Sequence, residues 1–507
     1  MGIRRNIVAS YANQAYVTLV SLVAVPFYLG YMGAEAYGLV GFFTTMQAWF
    51  MLLDVGLTPT LSRETARFRG GALSADELRD LLGALEIFFG TSALVVALVV
   101  ALAAPAIGSE WIQARSLPVA DVSQAVMLMG LTIPLRWMSG LYRGAITGFE
   151  RLGWLAGFNS LIATVRFVGV IAALRHISAT PFAFFTFQLV VAALELATLA
   201  IHAHRLLPAR VGTRPRPARL AALRGVLRFS VTISVTSMIW VFITQLDKLL
   251  LSRLLPLAEY GYYTLAVVVA GGITLLSAPV GQALLPTLAR LEAAGDDAAA
   301  LRVYRRASEL VCTIAVPTAL LLVFFSRTLI AAWTGNPAAA AQAGPTASLY
   351  AAGNAFMALA AFPYYLQYAK GQLRWHLIGN GLLILLLLPG IYFAASRYGA
   401  VGAGWAWLTA MSLYFFVWVA WTHHRLAPGL HPWWVGQLLR IAAASTLVAL
   451  AIDLVADWPQ GRAAVFAEAI GVWALIFVAA CAMSSMIRAK ALVLWREKGR
   501  TSWVKHG

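Results

Sequence analysis

Ala34-Glu35-Ala36-Tyr37-Gly38 opens an apolar stretch that closes at Pro59-Thr60-Leu61-Ser62-Arg63-Glu64. Nearly half the chain later, Ala258-Glu259-Tyr260-Gly261 opens another, which closes at Pro286-Thr287-Leu288-Ala289-Arg290. Each pair of landmarks brackets one stretch long enough to cross a bilayer. A further echo follows: His202-Ala203-His204-Arg205 ends one hydrophobic segment and Thr422-His423-His424-Arg425 ends another. Three landmarks recurring in one order at a similar offset mark an internal duplication. In membrane bundles, duplication is a common plan of secondary transporters, whose substrate path lies between the repeats.

The rest of the chain supports a membrane bundle. Of its 507 residues, 61% are hydrophobic and only 12% charged, and the mean hydropathy is +0.76. A soluble domain carries about 25% charged residues. Backbone polar groups must be satisfied internally in lipid, so long apolar runs are read as helices. The two cysteines, Cys312 and Cys481, sit in apolar runs and read as small hydrophobes, without a disulfide framework or metal site. Arg4 and Arg5 precede a long apolar segment with no small-residue cleavage site, which predicts an uncleaved first helix.

About fourteen spans are predicted at ~20 residues each. They begin at 7–29 and 37–57, include 376–395 and 399–422, and end at 433–456 and 463–486. With the N-terminus inside, about 28 basic side chains fall on the cytoplasmic side and 6 outside (Arg115, Arg175, Arg253, Arg327, Arg397 and Arg462). The net charge of +17 is thus mainly a topology signal, plus contact with anionic membrane lipids, rather than a sign of nucleic acid. Both termini are expected in the cytoplasm. The expected fold is all-α: an N-lobe of six spans (1–205), a basic linker (206–226), a C-lobe of six spans (227–425), and two extra helices with a basic tail (426–507). Both lobes start on the same side, so the repeats are parallel. In the linker, Leu220, Leu223 and Leu227 recur among arginines. That spacing suits a helix on the membrane surface, or the segment is a solvated basic loop.

No outside loop is long enough for a catalytic centre, and no Gly-rich phosphate loop appears. No enzyme activity, cofactor or metal is therefore expected. The His202/His204 and His423/His424 pairs sit at cytoplasmic helix ends, where imidazolium favours the helix dipole.

Charges inside spans cost about 2.5–3.5 kcal/mol each and usually face an interior or cavity. Arg166 lies mid-span and reads either as a cationic site for an anionic headgroup or as a structural partner of Glu195. Arg136 and Arg143 lie seven apart and share a helix face, forming a ladder inward from the cytoplasmic mouth or, for Arg143, a side chain that snorkels. Asp247 and Lys248 mark span seven, as cavity residues or interfacial anchors. Asp54 and Glu86 read as a clasp with Arg63 or Arg67, structural or gating. Glu195 is the best carboxylate for proton coupling, since burial raises a carboxyl pKa. Asn13, Gln14, Gln47 and Gln245 read as helix–helix hydrogen-bonding residues, and Pro26, Pro134, Pro279 and Pro317 as interruptions of spans.

At this point the chain resembles the lipopolysaccharide O-antigen and polysaccharide flippases of the multidrug/oligosaccharidyl-lipid/polysaccharide (MOP) exporter superfamily. The likeness rests on 6–14 (NIVASYANQ), Pro26-Phe27-Tyr28-Leu29-Gly30, the turn from Glu35 to Gly38, Leu53-Asp54-Val55-Gly56-Leu57, 143–151 (RGAITGFER), Gln245-Leu246-Asp247-Lys248 and Glu259-Tyr260-Gly261-Tyr262-Tyr263. It covers roughly 1–425. The resemblance implies transfer of an undecaprenyl-diphosphate-linked sugar unit from the cytoplasmic to the periplasmic leaflet of the bacterial inner membrane. Two lobes would rock around a cationic cavity, driven by an ion gradient. It also implies a polysaccharide polymerase and a chain-length regulator as partners. Substrate contacts would then fall to Arg166, Arg136, Arg143 and Lys248, and ion coupling or gating to Glu195, Asp247, Asp54 and Glu86. One departure is that span one has no basic residue in its core, where some relatives place arginines, so the site geometry is expected to differ. A multidrug exporter of the same superfamily usually has twelve spans, against fourteen here. A membrane-embedded polymerase or glycosyltransferase needs a sizeable outer loop, and a pure scaffold leaves Arg166 and Glu195 as costs without use.

Overall fold

A computed structural model describes residues 3–209 and 238–488, with side chains from residue 11 onward. Most of the basic linker and the basic tail lie outside these residues. The described residues form helices and turns, with one isolated β-bridge between Gln113 and Pro256. The helices are α1 (Ile3–Phe50), α2 (Leu57–Arg69), α3 (Ala75–Ala106), α4 (Val119–Gly148), α5 (Leu152–Thr164), α6 (Val170–His176), α7 (Pro181–Leu206) and α8 (238–254). They continue as α9 (Leu257–Ala293), α10 (Asp297–Thr334), α11 (Pro337–Ala360), α12 (Phe362–Ala369), α13 (Leu373–Leu413), α14 (Ala420–Leu426), α15 (Leu430–Val455) and α16 (Arg462–Met483). Among the described residues, nine helical stretches are long and apolar enough to cross a membrane. The protein is an all-α, multi-pass membrane protein.

Local chemistry sets where helices start and stop. Ser74 caps α3 in a reciprocal box with Glu77, and Thr180 and Asn336 cap α7 and α11 just ahead of Pro181 and Pro337. Gly33 (φ 82°) divides α1 between two predicted spans, Tyr398 and Gly399 (φ 58°) divide α13 where the next predicted span begins, and α10 is interrupted at Phe325. Pro26, Pro134, Pro279 and Pro317 lie within α1, α4, α9 and α10. A proline removes one rung of the ladder, whereas a left-handed residue ends it.

The chain divides into two compact units, 1–261 and 262–507. In the first, α4 packs against α2, α3 and α7, and α1 against α5. Leu61, Phe89, Trp137, Leu141 and Leu199 form its apolar core, with Phe89 and Trp137 stacked at 4.4 Å. Small residues let helices touch: a Cβ on Gly144 or Gly148 would stand 2.7 or 2.5 Å from the Thr58 or Ser62 carbonyl of α2.

The two copies of the sequence landmark meet in this unit. A Cβ on Gly38 would lie 2.4 Å from the Leu257 carbonyl oxygen, and one on Gly261 would lie 2.5 Å from the Ala34 carbonyl oxygen. Each glycine thus faces the carbonyl four residues before the other, a reciprocal contact with local two-fold character. Beside it, the Tyr260 and Thr45 hydroxyls are 3.0 Å apart. Glu35 accepts hydrogen bonds from the backbone N–H of Arg115, Ser116 and Leu117, each at 2.9 Å, and from the Ser116 hydroxyl at 2.7 Å. The same loop reaches the second copy, where Leu257 N–H donates to the Gln113 carbonyl at 2.8 Å and Trp111 Nε1 donates to the Ser252 hydroxyl at 3.0 Å.

In the second unit, α10 packs against α11, α15 and α16. The last two helices are locked on by Glu309, 2% exposed. It accepts from Gln437 (3.3 Å), the Ser485 hydroxyl (3.0 Å) and Met486 N–H (3.2 Å). Arg462 caps the end of α10 by donating to the Ala332 and Trp333 carbonyls at 2.6 and 2.5 Å. In the turn before α13, Lys370 Nζ bonds Glu292 at 2.9 Å and Asp297 at 3.2 Å. Burial works against this ammonium, but the hydrogen bonds and charges of the two carboxylates outweigh it and hold its pKa above the ordinary lysine value.

Two outcomes are expected. Gly38→Ala and Gly261→Ala should each cost about 1–3 kcal/mol, and the double variant should cost less than their sum because one contact is shared. Thermal unfolding in detergent reads this; an unchanged midpoint in both single variants would refute the close approach. For Lys370, the raised pKa means its stabilisation is complete below the ordinary lysine value and is lost as pH rises through the raised one. Lys370→Met should therefore lower the midpoint by about 1–3 °C at pH 7, and the gap should close in strong alkali.

Candidate functional site

Two parallel helices carry a matched set of polar residues. Arg136 and Arg143 lie on α4, and Gln188 and Glu195 lie on α7. Both pairs are seven apart, so the rungs are separated by about 10.5 Å along the helices. In the first rung, Arg136 Nη2 donates to Gln188 Oε1 at 2.5 Å. In the second, Arg143 Nη2 donates to Glu195 Oε1 and Arg143 Nη1 to Asn159 Oδ1 on α5. Glu195 is 4% exposed.

Arg166 joins from the π-helical turn Val165–Gly169 between α5 and α6. Such turns insert one extra residue into a helix and occur frequently at functional sites. Gln188 Nε2 donates to the Arg166 carbonyl at 3.3 Å, so one amide links both arginines. The Arg166 guanidinium lies over the Phe167 ring at 4.3 Å, and the Phe167 carbonyl accepts from Tyr28 of α1 at 2.9 Å. Arg136 lies over Phe43, at 5.2 Å.

This cluster is short of acceptors. Nε of Arg136 and Nε of Arg166 are buried without a hydrogen-bond partner, as is Glu195 Oε2. Three guanidiniums face one carboxylate, leaving two positive charges in excess. Buried donors on permanent cations are costly unless an anion completes them, and guanidinium matches phosphate oxygens in bidentate fashion.

The expected partners are rearranged. Glu195 pairs with Arg143, not with Arg166, because the shared spacing on α4 and α7 puts those two side by side. Arg143 is accordingly half-buried and engaged rather than extended to the surface. Asp54 accepts from the Thr58 hydroxyl at 2.6 Å and Thr58 N–H at 3.2 Å, securing the first turn of α2. Glu86 accepts from Tyr142 at 3.0 Å and lies 3.2 Å from His204 Nε2. Arg67 bonds Glu64, its neighbour on the same helix, at 2.8 Å. The expected clasp of Asp54 or Glu86 with Arg67 is therefore replaced by these local bonds. Lys248 donates to the Thr244 carbonyl one turn back and sits 3.5 Å from Asp247 Oδ1, which also accepts the Lys248 backbone N–H at 2.8 Å. No described contact joins Lys248, Asp54 or Glu86 to the arginine cluster.

Gln188, Asn159 and Tyr28 were not anticipated. The Gln188–Glu195 spacing repeats that of Arg136–Arg143 and was readable as a matching face; Asn159 and Tyr28 carry no such signal. His202 stacks on Trp154 at 3.6 Å, and His423 bonds Tyr304 at 2.6 Å. No cluster of metal-ligating side chains occurs among the described residues.

Comparison with known proteins agrees with this architecture. A protein named "Putative O-antigen transporter" from Salmonella typhi is 24% identical over 286 residues, 56% of this chain and 64% of the relative, so the match spans less than two thirds of that protein. A protein of the same name from Shigella flexneri is 20% identical over 407 residues, 80% of this chain and 94% of the relative. Among solved structures, the lipid II flippase MurJ in an inward closed conformation superposes with a TM-score of 0.72 at 13% identity, covering 96% of this chain and all of that one. An inward-facing multidrug resistance MATE transporter of the MOP superfamily gives 0.56 at 14% identity, covering 81% and 94%. These structures share the fold. Residues 3–292 match the family described as "Polysaccharide biosynthesis protein", and the chain belongs to that family.

Proposed function

We propose that the protein is a flippase that moves an undecaprenyl-diphosphate-linked oligosaccharide, an O-antigen or related repeat unit, from the cytoplasmic to the periplasmic leaflet. It would sit in the bacterial inner membrane with both termini in the cytoplasm. The observation that carries this reading is the excess of guanidinium over carboxylate in the first unit, with buried, unpartnered Nε–H groups on Arg136 and Arg166. A diphosphate supplies the missing acceptors, and its charge matches the surplus. The same surplus repels organic cations, which separates this reading from export of cationic drugs. Family membership and the names of the relatives point the same way.

The arrangement suggests the steps. Arg136 and Arg166 hold the diphosphate while the lipid tail stays in the bilayer. Glu195 competes with substrate for Arg143; protonating Glu195 neutralises the carboxylate and frees that guanidinium for the diphosphate. Substrate and proton are then linked through one side chain.

Reconstituted into vesicles, the protein should make a fluorescent undecaprenyl-diphosphate sugar accessible on the far leaflet. Unchanged sidedness with folded protein and an imposed proton gradient would refute the reading. Arg166→Ala and Arg136→Ala should each slow transfer at least about tenfold while inserting normally, with Arg166→Lys less impaired. Glu195→Gln should remove the dependence on the proton gradient; full gradient dependence in that variant would exclude Glu195 as the coupling site.

A further inference from the structure

The second unit carries a continuous aromatic strip with polar groups set into it. Tyr364 on α12 meets the His376 ring on α13 at 4.5 Å. Asn380 Nδ2 lies 2.9 Å from His376 Nε2, and Asn380 Oδ1 accepts from the Tyr414 hydroxyl at 3.5 Å. Tyr414 begins the π-helical turn Tyr414–Val419. Within it, Trp418 follows at 6.4 Å and stacks on Trp421 at 4.8 Å and 25°. A Cβ on Gly379 would stand 2.2 Å from the Trp418 indole, so this ring rests on the bare α13 backbone. The rings are half-buried rather than enclosed. The strip contains no acidic or basic side chain except the imidazole. The cations Arg374 and Arg425 stay at its edge, over Trp375 (4.4 Å) and Trp421 (5.7 Å).

An ordinary membrane-interface belt consists of aromatic residues anchored singly at headgroup level. It does not explain why Asn380, 7% exposed, is built into the strip between His376 and Tyr414. A sugar ring explains this. Its C–H faces are apolar and lie flat on aromatic rings, while its hydroxyl edges need donors and acceptors at the rim. The strip lies at the end of the unit that bears Lys370, Arg374 and Arg425, the end read as cytoplasmic, where a lipid-linked sugar is loaded.

We propose that this strip is a glycan-binding surface. Tyr364, Trp418 and Trp421 give the platforms for sugar rings, and His376, Asn380 and Tyr414 bond the hydroxyls. The inference rests on the flippase reading but is testable apart from it. In nanodiscs, tryptophan fluorescence would follow the binding of two probes: undecaprenyl diphosphate alone, and undecaprenyl diphosphate carrying N-acetylglucosamine. Tyr364→Leu and Trp421→Leu should weaken binding of the glycosylated probe by about tenfold, the worth of one aromatic platform, and leave the bare probe unaffected. Tyr364→Phe, which keeps the ring, should retain most of the affinity. Equal loss for both probes would mean a packing or anchoring role, and no loss for either would mean no contact with substrate; each refutes the strip. A native protein that binds the bare probe as tightly as the glycosylated one refutes the strip while sparing the flippase reading. A native protein that binds neither removes both.

Discussion

The first unit depends on one backbone-to-backbone approach. Gly38 and Gly261 each present a bare Cα to a carbonyl of the other segment, and the Leu257 side chain closes over Gly38 as well. Two helices can meet this closely in lipid only where Cβ atoms are missing, since hydrophobic driving force between helices is weak there and dispersion at short range must replace it. The approach fixes α1 against the start of α9, and with it the Tyr260–Thr45 hydroxyl pair and the loop that bonds Glu35. The duplicated motif is thus conspicuous in sequence because both copies serve one contact, from its two sides.

The electrostatics of this unit run opposite to ordinary packing. A buried arginine is tolerable when every donor is met, and Arg143 approaches that state between Asn159 and Glu195. Arg136 and Arg166 do not. A neighbouring carboxylate for each would have been the stabilising solution, and α7 supplies the uncharged Gln188 where a second acid would have completed the ladder. The helices hold two cations in place without neutralising them, at a cost in stability that a second acid on α7 would have removed.

The fold was legible because membrane crossing leaves a coarse signal, about twenty apolar residues. Gly33 fell between predicted spans, and Gly399 at the start of one, for the same reason. What the sequence concealed is whatever depends on rotation about a helix axis. Glu195 was identified as a buried carboxylate, but its partner is set by the angular register of α4 on α7, which a linear pattern carries only when both helices repeat it. Here they do, at seven residues, and the match of Gln188 and Glu195 to Arg136 and Arg143 was available. The π-helical turn at Arg166 had no signal of its own. Asp54 and Glu86 stood out because charge is visible in a sequence, whereas the hydroxyl that serves each as partner, from Thr58 or Tyr142, is common enough to pass unnoticed.

Glu35 has a consequence for how this chain can change. Its carboxylate is satisfied by three consecutive backbone N–H groups and one hydroxyl from residues 115–117. Most surface loops accept an added or missing residue at small entropic cost. In this loop a shift of one residue changes the register of the amides on the carboxylate, displaces the Ser116 hydroxyl, and in one direction brings up Pro118, which has no N–H. At 115 and 117 it is the backbone amide, not the side chain, that meets the carboxylate. The loop is therefore held to its length by a single carboxylate, the reverse of what a short connection ordinarily allows.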